Sequence, residues 1–416
     1  MRIVAGVRIV TGVALVVVAQ CGGVDAAVAI VCGGLGVRIH DGLPCSARNY
    51  TPRGYDPQRF RRAGIPDRPG SRTSAPRAAD DAGSRVATVE AMTETALSHD
   101  PLWPRADDWP DFDAMAAGEH ADLALLGVPA FRTSLSPTAA HATPAAIRAA
   151  LHRYSPALAP DRSRDLGSDR PAGSVDLGQL RLVDAGDVTD PDGEAGEDVT
   201  RARVARVLGR SDALMALGGD NSVTVATALG AWGSDLATAG LVTIDAHHDL
   251  RDGISNGSPV RRLIEAGLDP SRIVQIGIQD FANSVAYGRR AEELGITVVH
   301  RDELHHRAHP SLVMAEALEI AGAGGGPVHL DIDVDVCDRA VAPACPASVP
   351  GGLQAWELRA LVRAAALDRR VRSADLVEID ATTDAADGRT VRLAALCVLE
   401  FAAGLAGRAS GGRLGA

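Results

Sequence analysis

The stretch Leu241-Val-Thr-Ile-Asp245-Ala-His247-His248-Asp249 sets two carboxylates and an imidazole at every second position. In extended backbone, side chains repeat every two residues, so Asp245, His247 and Asp249 share one face. Burying that set is costly unless something neutralises it, and a divalent cation is the simplest partner. The alternative is a solvated turn with incidental charges. A second stretch, His329-Leu-Asp331-Ile-Asp333-Val-Asp335-Val-Cys337-Asp338, repeats the alternation after a Gly-rich loop. It lacks the Gly and the terminal Glu of an EF-hand calcium loop. Carboxylates with one imidazole suit a hard ion such as Mn²⁺ or Mg²⁺ better than a thiolate-seeking one. Cys337 shares the parity and reads as a small packed residue. Two further clusters follow. Leu217-Gly-Gly-Asp-Asn-Ser222 offers glycines for a tight turn and Asp220, Asn221 or Ser222 as a helix cap. Asp375-Leu-Val-Glu378-Ile-Asp380 reads as a strand that ends in two carboxylates on one face.

Such clusters meet only if parallel strands bring their carboxyl ends to one edge of a sheet. Short apolar runs predict strands over 121–127, 180–185, 213–217, 240–245, 272–277, 295–300, 327–333 and 374–379. Amphipathic stretches between them predict helices over 143–152, 199–208, 223–232, 260–266, 284–294, 311–323, 355–367 and 390–405. Apolar strands each followed by a helix point to a single α/β domain of about 300 residues. A TIM barrel is the competing architecture, and no internal repeat is visible.

The composition sets bounds on function. Of 416 residues, 46% are hydrophobic and 23% charged, a globular rather than disordered balance. The net charge of −11 argues against a protein that grips nucleic acid phosphates. All 42 basic residues are Arg, a bias that lowers the meaning of any single one. No apolar run reaches the roughly 20 residues that cross a bilayer. The six cysteines (Cys21, Cys32, Cys45, Cys337, Cys345, Cys397) form no CxxC pair, so no disulfide framework is expected and the main domain reads as reduced and cytoplasmic. Residues 1–91 differ from the rest. Ile9–Gln20 has the length of a signal-peptide apolar region, and Asn49–Arg85 is rich in Arg, Pro, Ser and Gly. The expected division is a non-domain extension over 1–91, produced by a mis-assigned start upstream of Met92 or by targeting, then a lead-in over 92–118 and a catalytic domain over 119–410. The His-rich patch His300, His305, His306 and His309, with Arg301, Asp302, Glu303 and Arg307, reads as a solvated surface loop.

Taken together, Gly218-Gly-Asp-Asn-Ser222, Asp245-Ala-His-His-Asp249, Asp333-Val-Asp335 with Asp338, Pro343 and Pro350-Gly-Gly352, and Val377-Glu378 resemble, in order, the four signature blocks of the ureohydrolase (arginase/agmatinase) family. Leu126-Gly-Val-Pro129 and Pro144-Ala-Ala-Ile-Arg148 are similar to its opening blocks, so the likeness spans about residues 119–405. It implies a three-layer α/β/α fold with an eight-stranded parallel sheet and two Mn²⁺ ions per subunit. By position, Asp245 and Asp333 would bridge the ions, His247 and Asp335 would complete one metal site, and Asp249 and Asn221 the other. The family's commonest pattern has His where Asn221 stands. An amide oxygen is a weaker donor than imidazole, so one ion is expected to be held loosely, and a one-ion or inactive relative stays open.

The segment from His248 through Asn256-Gly-Ser-Pro to Glu265, the block Val274–Ser284 and Gly218-Gly-Asp-Asn221 resemble bacterial formimidoylglutamases of histidine degradation, and the Asp338–Ser348 loop, without the usual Gly-Thr, departs from arginase and agmatinase. The expected reaction is hydrolysis of N-formimidoyl-L-glutamate to L-glutamate and formamide by a hydroxide generated at the two Mn²⁺ ions. This substrate carries two carboxylates and agmatine none. Arg251 and Arg261, with Asn256, follow the metal motif where guanidinium forks could hold carboxylates. They could equally be surface residues of an Arg-rich chain. Glu378 would pair with the cationic formimidoyl nitrogens, and Asp249 would pass a proton to the leaving nitrogen. The alternatives are a guanidine hydrolase releasing urea (agmatinase, guanidinobutyrase or arginase type) and a metal-poor, non-catalytic homologue. A one-zinc amidohydrolase of histone-deacetylase type shares the general fold, but the Asp333/Asp335 pair and Glu378 favour two metals. The expected partners are a small-molecule substrate and further copies of the chain in a homo-oligomer, with neither nucleic acid nor membrane.

Overall fold

Apolar runs of four to eight residues, rich in Val, Ile, Leu and Ala, form eight parallel strands. They are β1 (Ala121–Val128), β2 (Leu182–Asp187), β3 (Ser211–Gly218), β4 (Gly240–Ile244), β5 (Ile273–Ile278), β6 (Thr297–His300), β7 (Val328–Asp333) and β8 (Val371–Val377). The computed structural model describes residues 16–21, 24–29, 100–158, 175–306 and 309–411. The chain divides into two compact units, Met1–Ala91 and Met92–Ala416. In the first, Val16–Cys21 pairs antiparallel with Val24–Ala29, so two Val/Ala runs without clear periodicity in the sequence make a small ribbon. Most of Ile9–Gln20, all of Asn49–Arg85, Cys32 and Cys45 lie outside the described residues.

In the second unit the sheet order is β6-β5-β4-β7-β8-β3-β1-β2. Every pairing in it is parallel. The sheet is open, with β6 and β2 as edges, which removes the barrel alternative. Its two faces separate by parity. Leu123, Leu125, Met215, Leu217, Val242, Ile244, Leu330 and Ile332 pack beneath α1 (Thr143–Leu151), α7 (Pro310–Ala321), α8 (Ala355–Leu367) and α9 (Arg389–Gly411). Ala124, Leu126, Leu214, Ala216, Leu241 and Ile273 face α2 (Gly193–Leu208), α3 (Val223–Trp232), α4 (Pro259–Ala266) and α5 (Val285–Leu294). This is a three-layer α/β/α sandwich, with strands buried on both sides as parallel sheets require.

Several expectations need correction. Helix α2 starts at Gly193 rather than near 199. Its first turns carry Glu194, Glu197 and Asp198, which suit the positive end of a helix dipole but show no apolar periodicity. The 20-residue stretch Arg389–Arg408 of α9 is long and apolar enough overall to span a bilayer, although Arg392 and Glu400 interrupt its apolar run, and most of it is buried inside the domain. Phe401 and Leu405 pack in the core there, so its apolarity serves the domain. The His-rich patch is no simple loop. Arg301–His306 is a short helix, α6, and Arg301 is buried in an ion pair with Glu357 at 3.0 Å. His300, His306 and His309 are exposed. In the lead-in, Phe112 is fully buried and Asp111 bridges Asp184 beside β2.

Candidate metal centre and active site

The carboxyl ends of β4, β7, β8 and β3 are adjacent in the sheet, and each carries one cluster. The β3–α3 turn can be this tight only because of its glycines. A Cβ on Gly219 would lie 1.7 Å from the Ala130 carbonyl oxygen, and one on Gly218 would lie 2.6 Å from Val377 Cγ1. Asp220 N–H then donates to Ala130 O at 2.8 Å, and Asn221 is delivered to the sheet edge with 1% exposure. After β4 the backbone turns so sharply that Asp249 sits at φ +53°, and after β8 Glu378 sits at +63°. Non-glycine residues in the left-handed region carry strain that the surroundings must hold, and such positions gather at functional sites.

Asp245, His247 and Asp335 have donor atoms within 4.8 Å of one another, the one such group of three or more metal-ligating residues among the described residues. His247 Nδ1 lies 3.1 Å from Asp335 Oδ2 and 3.4 Å from Asp245 Oδ1. Asp245 Oδ2 and Asp335 Oδ1 are buried without a hydrogen-bond partner. Orphaned carboxylate oxygens beside an imidazole fit a hard divalent cation. A second cluster lies alongside. Asn221 Nδ2 donates to Asp249 Oδ2 at 2.7 Å and to Asp333 Oδ2 at 3.2 Å, while Asn221 Oδ1 accepts from Thr224 Oγ1 at 2.6 Å. Asp335 N–H donates to Asp333 Oδ1 at 2.8 Å, linking the two clusters.

The electrostatics of the site follow from its burial and its crowded carboxylates. Burial, then the charge of Asp335, pushes Asp245 up to about 6. Burial likewise raises Asp249 and Asp333 well above the carboxylate range, with neighbouring carboxylates adding to it. Asp335 pushes His247 up to about 12 against the desolvation that opposes its charge. Burial pushes Glu378 up to about 8, although Asn256 Nδ2 at 2.8 Å and Asn221 N–H at 2.7 Å both donate to its Oε1. Carboxylates crowded in this way need protons or a cation.

The structure thus assembles Asn221, Asp245, His247, Asp249, Asp333, Asp335 and Glu378. It treats the three substrate-binding candidates differently. Arg251 is exposed beside Gly257, and its guanidinium has no partner among the described residues. Asn256 is committed to Glu378 through Nδ2 and to the Leu135 N–H through Oδ1 at 3.0 Å, so it positions an acid instead of standing free. Arg261 corrects the expectation. Its guanidinium donates to Arg251 O at 2.6 Å, to Gly253 O and to Glu265, so from α4 it braces the loop that precedes the helix. Asp380 turns away from the site, accepting the Ala139 N–H at 2.8 Å and the Thr382 N–H at 3.0 Å. Asp331 and Asp375 are fully buried one step below the site, where Asp375 pairs with His329 at 3.0 Å.

Three positioning groups escaped sequence reasoning. Asn283 takes the His248 N–H at 2.9 Å and donates to Ala246 O at 2.8 Å, and Gln279 donates to Val336 O at 3.0 Å. Asn283 thus clamps the loop between Asp245 and Asp249, and Gln279, whose own N–H donates to Ala246 O at 3.1 Å, ties that loop to the turn after β7. Thr224 is the third. Its signal, a hydroxyl one helical turn after Asn221, is common in helices that bind nothing.

An open parallel sheet between two helical layers, with carboxylate and imidazole donors at its central strand ends, defines an α/β/α sandwich with a candidate metal site at its carboxyl edge. Residues 121–404 match the family described as the Arginase family. The chain is 33% identical over 298 residues to a formimidoylglutamase of Halalkalibacterium halodurans, covering 69% of this chain and 88% of that protein. It is 34% identical over 307 residues to one of Halobacterium salinarum, covering 72% and 90%. The crystal structure of formimidoylglutamase from Bacillus subtilis superposes with a TM-score of 0.63 at 28% identity, covering 75% of this chain and 94% of that one. The chain belongs to the arginase family and is a hydrolase acting on linear amidine C–N bonds.

Proposed function

We propose that this chain hydrolyses N-formimidoyl-L-glutamate to L-glutamate and formamide, with two Mn²⁺ ions held by Asp245, His247, Asp335, Asp333, Asp249 and Asn221. The observation that carries the reading is Arg251. It is an exposed guanidinium with no partner among the described residues, two residues beyond Asp249, in a family member whose curated relatives include formimidoylglutamases. When bound, two divalent ions supply the Lewis acidity that makes water a nucleophile at neutral pH and offsets the carboxylate charge. The residues do the rest. Arg251 grips a substrate carboxylate with its planar fork. Glu378, held by two N–H donors on Oε1, presents Oε2 to the cationic formimidoyl nitrogens. That cation favours the ionised carboxylate and reverses the rise that burial imposes. Asp249, strained and buried, delivers a proton to the departing glutamate nitrogen.

The test offers Mn²⁺-loaded protein N-formimidoyl-L-glutamate, agmatine and arginine in parallel. Mn²⁺-dependent formamide and glutamate from the first substrate alone supports the reading. Urea from either guanidine keeps the metal chemistry and overturns the substrate. Asp245→Asn and Asp333→Asn should each abolish turnover, and full activity in either sinks the assignment.

A further inference from the structure

Asn221 holds its amide with the nitrogen, not the oxygen, toward Asp249 and Asp333. An amide nitrogen donates and cannot ligate, because its lone pair is delocalised into the carbonyl. Its two protons instead do between those carboxylates what a cation would otherwise do. For Oδ1 to reach a metal, the amide must make a half-turn about χ2, a torsion with two broad and nearly equivalent wells. The half-turn brings Nδ2 to where Oδ1 now accepts from Thr224 Oγ1. A hydroxyl both donates and accepts, so the same oxygen can serve either orientation. In the turned state its own proton is free to bond a carbonyl of the preceding helical turn, a habit of helix threonines. Thr224 is fully buried and Asn221 is 1% exposed, so water cannot replace that hydroxyl.

Resting on the metal reading above, we propose that the Asn221 side chain is a two-state amide switch, and that Thr224 is the positioning residue that satisfies both states. One state holds the site together without the second ion, and the other ligates that ion. A valine at 224 keeps the shape and removes the hydroxyl. In the metal-free state it strands a carbonyl oxygen. In the ligating state it strands an N–H group, which buried protein tolerates less well. The loss therefore falls on the second ion, while the Asp245–His247–Asp335 group, which does not touch Thr224, keeps its affinity.

The experiment is a Mn²⁺ titration of wild-type chain, Thr224→Val and Thr224→Ser, followed by calorimetry and by electron paramagnetic resonance of the one-ion and coupled two-ion signals. The expected result is first-ion affinity within twofold in all three proteins. Second-ion affinity should fall about tenfold in Thr224→Val and return in Thr224→Ser. Wild-type second-ion affinity in Thr224→Val overturns the proposal, as does a Thr224→Ser protein as weak as the valine variant, since packing would then be the cause. A wild-type chain that takes up no Mn²⁺ overturns the metal reading itself and this proposal with it. Failure of the valine prediction alone leaves that reading intact.

Discussion

At the scale of single residues, the site divides into groups that would touch substrate or metal and groups that hold them. Glu378 belongs to the first kind. Glu378→Gln keeps its size and its two N–H contacts but removes the charge meant for the substrate cation. We expect kcat/KM to fall about a hundredfold or more, with Mn²⁺ uptake unchanged by titration. Activity near wild type would remove Glu378 from the mechanism. The two loop arginines should part ways. Arg251→Ala should raise KM for the dicarboxylate substrate about tenfold or more, since a charged hydrogen bond is worth about 1.5–3 kcal/mol. Arg261→Ala should lower thermal stability and leave KM within a fewfold, because its guanidinium is already spent on Arg251 O, Gly253 O and Glu265. Equal kinetic losses in both variants would contradict that division. The sequence placed both arginines after the metal motif but could not show which one would be spent on its neighbours. Which carbonyls a guanidinium meets depends on how the loop before α4 folds back onto that helix.

At the scale of elements, strand ends matter more than strand interiors. All eight strands were legible from apolar runs, each within a few residues of its observed bounds. The exact point where a strand stops was not. Strand β8 ends at Val377 because Glu378 adopts φ +63°, and that turn sends Glu378 into the site and Asp380 out of it. The Gly218-Gly219 turn is the most constrained joint. Gly219→Ala places a methyl 1.7 Å from a backbone carbonyl, a clash that only backbone movement relieves. Its cost should reach at least about 1–3 kcal/mol, seen as a lower thermal midpoint together with weaker Mn²⁺ binding, since Asn221 rides on the same turn. Unchanged stability would mean the turn is looser than its geometry shows.

At the scale of the whole molecule, the buried charge at the site couples folding to pH and metal. Glu378 is raised from an ordinary 4.5 to about 8, and Asp245 from 3.8 to about 6. Each therefore keeps a proton in the folded state that the unfolded chain has already released. His247, raised from 6.5 to about 12, does the same above neutrality. With more protons bound when folded, stability falls as pH rises. For the carboxyls that loss lies between about pH 4 and 8, and His247 extends it above 6.5. The metal-free protein should melt at a lower temperature at pH 8 than at pH 6, and saturating Mn²⁺ should raise the midpoint more at pH 8, by binding the folded state alone. A metal-free midpoint that climbs from pH 6 to pH 8 would show that the site is not the main titrating element of the fold.

The sequence by itself determined the spacing of Asp245, His247 and Asp249, and of Asp333 and Asp335, but not how they are presented: β4 stops at Ile244 and a turn carries Asp245 to Asp249, while Asp335 lies in a tight turn after β7. It also determined the glycines that permit a tight β3–α3 turn and the run of apolar strands between amphipathic helices. These are local properties, written in residue type and spacing. Only the tertiary structure decided that four strand ends, spread over 160 residues of chain from Gly218 to Glu378, lie side by side. The order β4-β7-β8-β3 follows from how crossovers pack over the sheet, not from any one segment. Tertiary contact also decided that Asn221 turns its nitrogen inward and that Arg261 is a brace, where the Arg251 guanidinium has no partner among the described residues. Hydrogen-bond partners for such groups come from distant loops, and a polar atom inside the protein takes whichever partner the completed packing brings within reach.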